Sequence, residues 1–291
     1  MTGRANRTGR QVEAGRAGQP TRGNRTGRTR RRGGRARPPR SLGLLGVLLA
    51  LAVMEVVSRA NILPHRWFPS ATQTLRALVT EAGTAELWTA VGQTVTGAGL
   101  GLGLAALVAI PLGIVIGLSD LLYRLTRALV EFLRPVPSVA LIPLAVLLFG
   151  TQIGSKLLLV VYAATWPLLI NVVYGVRDTD PVATDTARAY RLGRLARIRY
   201  VTVPSTLPYL LTGIRLSAAV ALILAVTAEL VIGSPGLGQV IVQAQAAGAV
   251  ALTYALIVVS GLLGLAVNLL TRAVERYALR WHTSYRAEAV R

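Results

Sequence analysis

Residues able to do chemistry are few in this sequence. Most of them fall between positions 185 and 208, in DTARAYRLGRLARIRYVTVPSTLP. That stretch carries five of the chain's 32 basic residues, a single acid and two prolines, Pro204 and Pro208. Inside long apolar sequence the ionisable groups are Glu55 and Glu229, with Arg215 near an edge. Charges in such surroundings mark pathways, gates or packing interfaces. Two lone carboxylates make no proton relay, and Glu229 is the candidate for a pathway or gate. No cysteine is present, which removes thiol nucleophiles, disulfides and Cys-based metal sites. His65 and His282 lie outside the apolar windows, so neither a His-centred active site nor a metal site is expected. The segment GTQIGSK at 150–156 echoes a phosphate-binding loop. That motif requires lysine directly after the second glycine and then a hydroxyl residue. Here Ser155 intervenes and Leu157 follows, so no catalytic constellation remains.

The elements that must position these residues are apolar helices. The chain is 53% hydrophobic and 15% charged, against roughly 25% charged in an average soluble domain. Six windows, 42–57, 87–119, 135–155, 157–176, 216–232 and 250–271, carry no charge or one. About 20 apolar residues cross a hydrocarbon core. The pattern predicts an all-α polytopic membrane protein with six transmembrane helices, the third and fourth joined by a tight hairpin at 150–156. Gly97, Gly99, Gly101, Gly103, Gly113 and Gly117 crowd the second window with Pro111 among them, and Pro135, Pro137, Pro143 and Pro167 follow. Small residues four apart let helix backbones approach closely. This suits a bundle that packs against another subunit and moves, although Gly and Pro are common in membrane helices anyway.

Residues 1–40 hold 13 arginines and one acid, with the near repeat ANRTGR and GNRTGR. Such a segment buries no core and reads as a disordered tail. Beside a membrane span it is expected to face lipid and set topology, with no nucleic-acid partner; an over-long annotated start is the alternative. Positive segments stay on the cytoplasmic side. With the N-terminus inside, 27 Arg and Lys residues fall inside and four, Arg59, Arg66, Arg76 and Lys156, outside. Both termini are expected to be cytoplasmic, as is the 185–208 stretch. A cleaved signal peptide ending at SRA, 58–60, is a competing reading of the first window, and the 40-residue lead-in argues against it.

Asp180-Pro181 supplies an N-cap and a first-turn proline for a helix. On it Val182, Ala183, Thr186, Ala189 and Tyr190 share a side, opposite Thr184, Asp185 and Arg188. Continued unbroken, the helix would place Arg188, Arg191, Arg194 and Arg197 on the face of Leu192, Leu195, Ile198 and Val201. A turn near Leu192-Gly193 resets the phase, and a second helix runs until Pro204 stops or kinks it. The segment therefore reads as a surface helix-turn-helix whose apolar faces need a partner, either the span ends, headgroups or another protein.

This stretch resembles the EAA loop of binding-protein-dependent ABC importer permeases, E-A-A, three residues, G, nine residues, I-x-L-P. Asp185, Thr186 and Ala187 stand at E-A-A, Val201 and Val203 at I and L, and Pro204 at the proline. Arg191 occupies the family's glycine position, and the nearest glycine is Gly193, where the turn is expected. LRPVPSVALIPLAVLLFG, LPYLLTGIRLSAAVALILAVTAEL and GSPGLGQVI are similar to segments of the nitrate, sulfonate and taurine branch.

The resemblance implies a type I ABC importer permease fold and a division of the chain. Residues 1–40 would be the cytoplasmic tail, 41–58 the first span, 59–86 an extracytoplasmic connection, 87–275 the permease core with its coupling loop at 178–206, and 276–291 the C-terminal tail. It implies a transport subunit rather than an enzyme, in a bacterial plasma membrane, moving a small oxyanion such as an aliphatic sulfonate, taurine or nitrate. Its partners would be an external solute-binding protein, a second permease copy, lipids, and a cytoplasmic ATPase dimer that alone holds ATP and Mg. Asp185, Thr186, Ala187, Arg188, Arg191, Gly193 and Pro204 would form the ATPase-coupling element, Asp185 as the acidic contact, the arginines meeting the ATPase or lipid phosphates. A stand-alone secondary carrier or membrane scaffold is the alternative.

Overall fold

The structure, a computed structural model, describes residues 41–60, 64 and 67–280. The 1–40 tail, His65, Arg66, His282 and most of the C-terminal tail lie outside the described residues. Two compact units divide the chain, Met1–Leu45 and Gly46–Arg291. Of the first only the opening turn of α1 is described, and everything below concerns the second.

Eleven α-helices are described: α1 Ser41–Arg59, α2 Ala71–Ala82, α3 Ala85–Leu118, α4 Asp120–Leu133, α5 Ile142–Phe149, α6 Ile153–Arg177, α7 Pro181–Ala189, α8 Arg194–Arg197, α9 Val203–Ile232, α10 Leu237–Ala246 and α11 Val250–Ala278. A 3₁₀ turn precedes α5, and a π-helical turn, Ile198–Thr202, joins α8 to α9. Local sequence explains several starts. Ser70 caps α2 in a reciprocal box with Gln73, Thr84 caps α3 by accepting from the Leu87 N–H, and Ser119 caps α4 by accepting from the Leu122 N–H. The 59–86 connection thus contains a helix of its own, packed on α11.

Four helical runs are long and apolar enough to cross a membrane: α3, α6, α8 through α9, and α11; a fifth arises if one bent pair is a single span. That pair is α4 with Ser138–Phe149, bent by 82°. The third window, 135–155, therefore falls on this bent pair, which is either one broken span or a re-entrant loop. Pro135 and Pro137 interrupt the helix after α4, and Pro143 restarts it in the first turn of α5. The segment Ser138–Phe149 reaches only about 18 Å at 1.5 Å per residue, too short to cross alone. The expected hairpin at 150–156 is present: Gly150, at φ 64°, ends α5, and the Ser155 hydroxyl donates to the Ala145 and Gly150 carbonyls.

The core is a triad of α3, α6 and α9, each presenting a ridge of residues four apart. On α3 the ridge is Gly97, Gly101, Ala105, Ala109, Gly113 and Gly117; on α6 it is Lys156, Val160, Ala164, Leu168, Val172 and Val176. A Cβ on Gly101 would lie 2.4 Å from the Val160 side chain, and one on Gly113 2.7 Å from Val172. Only glycine allows this approach. Gly99 and Gly103, which face nothing within 4 Å, have no such role. Because Gly97 meets Lys156 and Gly117 meets Val176, α3 and α6 run parallel. The chain between them, α4 with α5, must return to the end where α3 began. In contrast α9 is antiparallel to α6: Gly175 meets Thr206 and Tyr209, the Ser217 hydroxyl donates to the Ala164 carbonyl at 2.7 Å, and Glu229 meets Lys156. The loop holding α7 and α8 thus lies at one end of the triad, and Lys156 with Glu229 at the other.

Candidate functional site

The loop is tied at its base. Arg177, the last residue of α6, donates to Asp120 at 2.8 Å and sits 4.1 Å from the Tyr123 ring centroid. The Tyr209 hydroxyl donates to the Asp178 carboxylate, joining the start of the loop to α9. This pair of ties clamps the segment at its base.

Asp180 caps α7 as expected, its Oδ1 accepting from the Val182 N–H at 2.8 Å with Pro181 behind it. At the other end the Leu192 N–H reaches the Ala187 carbonyl at 3.0 Å and the Arg191 N–H the Arg188 carbonyl at 2.9 Å. These two bonds form a Schellman closure, whose pivot residue must be left-handed. The pivot is Arg191, at φ 55°, alone among described non-glycine residues in having positive φ. Gly193 sits at φ −60°, ψ 161° and serves as N-cap of α8. The turn expected at Leu192-Gly193 is therefore corrected to Arg191, the position where the EAA pattern has glycine. A left-handed L-residue costs roughly 1–2 kcal/mol. Arg191→Gly is accordingly expected to stabilise the protein by about 1 kcal/mol, raising its thermal midpoint by about 2–4 °C. Gly193→Ala should lower it little or not at all.

Of the candidate coupling residues, Asp185, Thr186, Arg188, Arg191 and Gly193 are exposed, Pro204 is half-buried at the start of α9, and Ala187 is only 5% exposed. Ala187 therefore holds the turn together from inside. Asp185 accepts from Arg188 at 2.9 Å, and the Thr186 hydroxyl donates to the Val182 carbonyl. The side of α7 bearing Val182, Thr186, Ala189 and Tyr190 faces outward, with Val182 71% and Tyr190 80% exposed, and Leu195 of α8 83% exposed.

At the opposite end Glu229 is neither lone nor near solvent. Its Oε1 accepts from Lys156 Nζ at 2.7 Å, and its Oε2 accepts from the Thr94 hydroxyl at 2.8 Å and the Gly238 N–H at 3.0 Å. Lys156 also donates to the Pro235 carbonyl at 2.7 Å, and the Leu237 N–H donates to Thr94 Oγ1 at 2.9 Å. Relative exposures of the lysine and glutamate side chains are 2% and 0%. Gly236, at φ 151°, lets the 233–238 loop close over the carboxylate: a Cβ there would lie 2.2 Å from it. α3, α6, α9 and the start of α10 thus meet on one buried, hydrogen-bonded ion-pair cluster. Lys156, assigned by charge counting to an outer segment, is buried. Its signal was its phase: it opens the α6 ridge four residues before Val160. A second pair, Arg215 with Glu275 at 2.9 Å, links α9 to α11. Among the described residues no cluster of three or more His, Cys, Asp or Glu suits a metal ion.

The chain is similar to known proteins in sequence and in fold. A family model described as "Binding-protein-dependent transport system inner membrane component" matches residues 109–280. The taurine transport system permease protein TauC of Escherichia coli (strain K12) is 32% identical over 247 residues, 83% of this chain and 89% of the relative. A putative aliphatic sulfonates transport permease protein, SsuC of Bacillus subtilis (strain 168), is 29% identical over 252 residues, covering 87% and 91%. In fold, the chain is similar to a structure of the MetNI methionine ABC transporter in inward-facing conformations, with a TM-score of 0.54 at 20% identity, covering 65% of this chain and 96% of that one.

Proposed function

The chain belongs to the binding-protein-dependent transport system inner membrane components, the permeases of ABC importers, in their nitrate, sulfonate and taurine branch, and on that premise we propose that it forms the membrane pathway for a small sulfonate-type oxyanion. In this reading an external binding protein delivers the solute, a second copy completes the pathway, and both termini are cytoplasmic. A separate ATPase docks against α7 and α8. The observation that carries the reading is the outward apolar side of α7, Val182 and Tyr190, beside Leu195 on a loop clamped at its base. Apolar residues so exposed at a span's end mark a partner surface. A short rigid helix fixed at both ends suits transmission between two states. Taurine and sulfonates are the solutes of the two relatives named above, which supports the oxyanion class over other solutes.

Asp185, Thr186 and Arg188 are the polar part of the proposed docking face, while Ala187, Arg191, Gly193 and Pro204 shape it. Glu229 serves the proposed gate as an anchor of the 233–238 loop and not as a solute ligand, because its buried carboxylate is taken up by three donors, from α6, α3 and the start of α10.

The test is reconstitution in vesicles with the cognate ATPase and binding protein and a panel of taurine, alkanesulfonates and nitrate. Uptake should require ATP and all three proteins and should favour a sulfonate. Uptake driven by an ion gradient without the ATPase would establish the secondary-carrier reading instead.

A further inference from the structure

Next to the docking face lies a cleft of about 200 Å³ whose charge the protein does not balance. Its wall includes Arg188, Arg194 and Arg197, the hydroxyl residues Thr184 and Thr202, and the apolar Leu118, Ile198 and Val201. Three arginines therefore line one space, and one of them, Arg188, is paired with Asp185, whose side chain is 71% exposed. Among the described residues no ion pair holds Arg194 or Arg197. Arg197 Nε is buried and lacks a hydrogen-bond partner. Buried donors are nearly always satisfied, and an orphaned one points to a missing acceptor. The backbone beside it is the π-helical turn Ile198–Thr202, an arrangement that recurs at functional sites.

We propose that this cleft is an anion site that takes a phosphate group, and that the phosphate locks the α7–α8 turn against the end of α3. Guanidinium forks match the oxygens of phosphate, and several converging on one small space form a phosphate site. The two threonine hydroxyls add neutral donors of the right reach. Depth selects the source. Leu118 is the last residue of α3, a helix long and apolar enough to cross a membrane, and with the cytoplasmic loop of the proposed function this puts the cleft beside the headgroups. There a basic pocket on the cytoplasmic side receives an anionic lipid. A lipid phosphodiester and free phosphate offer the same chemistry, and the lipid is the source this position favours. The site goes beyond the transport reading: it concerns what stabilises the loop, whatever the solute.

The test uses the full chain in nanodiscs. Wild type, Arg197→Gln, Arg197→Lys and Arg199→Gln are compared in phosphatidylcholine discs with and without phosphatidylglycerol. Native mass spectrometry reads retained lipid, and thermal unfolding reads stability. Arg199 belongs to the same segment but lies outside the cleft, 5.8 Å from the Tyr200 ring centroid, so its variant controls for lost charge. Wild type and Arg199→Gln should retain phosphatidylglycerol and gain thermal midpoint from it. Arg197→Gln should lose roughly fivefold or more of the retention, a tenfold loss being 1.4 kcal/mol, and Arg197→Lys should fall between, because it keeps the charge without the fork. Arg194→Gln gives an independent reading if Arg197→Gln fails to fold. A second arm adds inorganic phosphate to phosphatidylcholine discs at constant ionic strength. Stabilisation of wild type but not of Arg197→Gln by phosphate alone identifies the same site filled from solution. Equal behaviour of Arg197→Gln and Arg199→Gln on both arms overturns the proposal. So does a loss of ATPase binding in Arg197→Gln with lipid and phosphate effects intact, which would assign the cleft to a carboxylate of the partner.

Discussion

Replacing Glu229 with alanine is expected to destabilise the protein by about 3–5 kcal/mol, enough to remove most of it from the membrane fraction. The cause is what remains. Lys156, 2% exposed, would keep the Pro235 carbonyl and lose its only carboxylate. An uncompensated buried charge carries a penalty of that size, against a total stability of about 5–15 kcal/mol. The reverse change should cost less. In Lys156→Ala the Glu229 carboxylate still accepts from Thr94 and Gly238 and faces the first turn of α10. The double change Lys156→Met with Glu229→Gln keeps side-chain volume, which matters because Gly97 and Gly236 leave no spare room around the pair. It should recover most of the loss, since neutral replacement of a buried pair is often tolerated. Unfolding in detergent of wild type, Lys156→Met, Glu229→Gln and the Lys156→Met/Glu229→Gln double variant closes a double-mutant cycle. A coupling energy of about 2 kcal/mol or more is the expected outcome. Additive losses, within about 0.5 kcal/mol, would show that the two residues act independently.

Much of this architecture is legible in the sequence, and the parts that are not share a physical reason. Apolar length marks helices α3, α6, α9 and α11, and Asp180-Pro181 marks the start of α7, because both signals are local. Gly97, Gly101 and Gly113 read as close-packing residues, yet so do Gly99 and Gly103, which face nothing; which glycine meets a neighbour depends on the partner helix. The Lys156–Glu229 pair spans 73 positions, and nothing in the local sequence around either residue points to the other. Read against its ridge, each is in register: Gly213, Ser217, Ala221, Ala225 and Glu229 repeat every four residues, as Lys156 and Val160 do. At Arg191 local propensity and chain spacing disagree. Propensity favours a turn at the nearest glycine, whereas the hydrogen bonds of Leu192 and Arg191 back to α7 hold it at the motif's own position. Chain spacing outweighed the cost of one strained residue.

Tyr190→Ala should weaken binding of the ATPase by roughly 30-fold or more and reduce uptake in step, while leaving the permease folded. Tyr190 is 80% exposed and Val182, two turns back on the same side of α7, 71%. Neither contributes much to this chain's core. Aromatic anchors at interfaces are worth about 2 kcal/mol or more on truncation, which converts to that factor. Asp185→Arg isolates the polar half of the same face. Its ion pair with Arg188 is solvent-exposed, so losing it should change folding by no more than about 1 kcal/mol. Any large loss of ATPase binding in this variant must therefore come from the partner side. Retention of the ATPase by detergent-solubilised permease, measured beside thermal midpoints, separates the two effects. If both variants keep wild-type binding and uptake, α7 is not the docking element. If both lose the ATPase at unchanged midpoint, the clamped loop is where the energy of hydrolysis enters the pathway: Asp178 with Tyr209 and Arg177 with Asp120 leave it no slack, so a push on Tyr190 must move α6, α9 and α4.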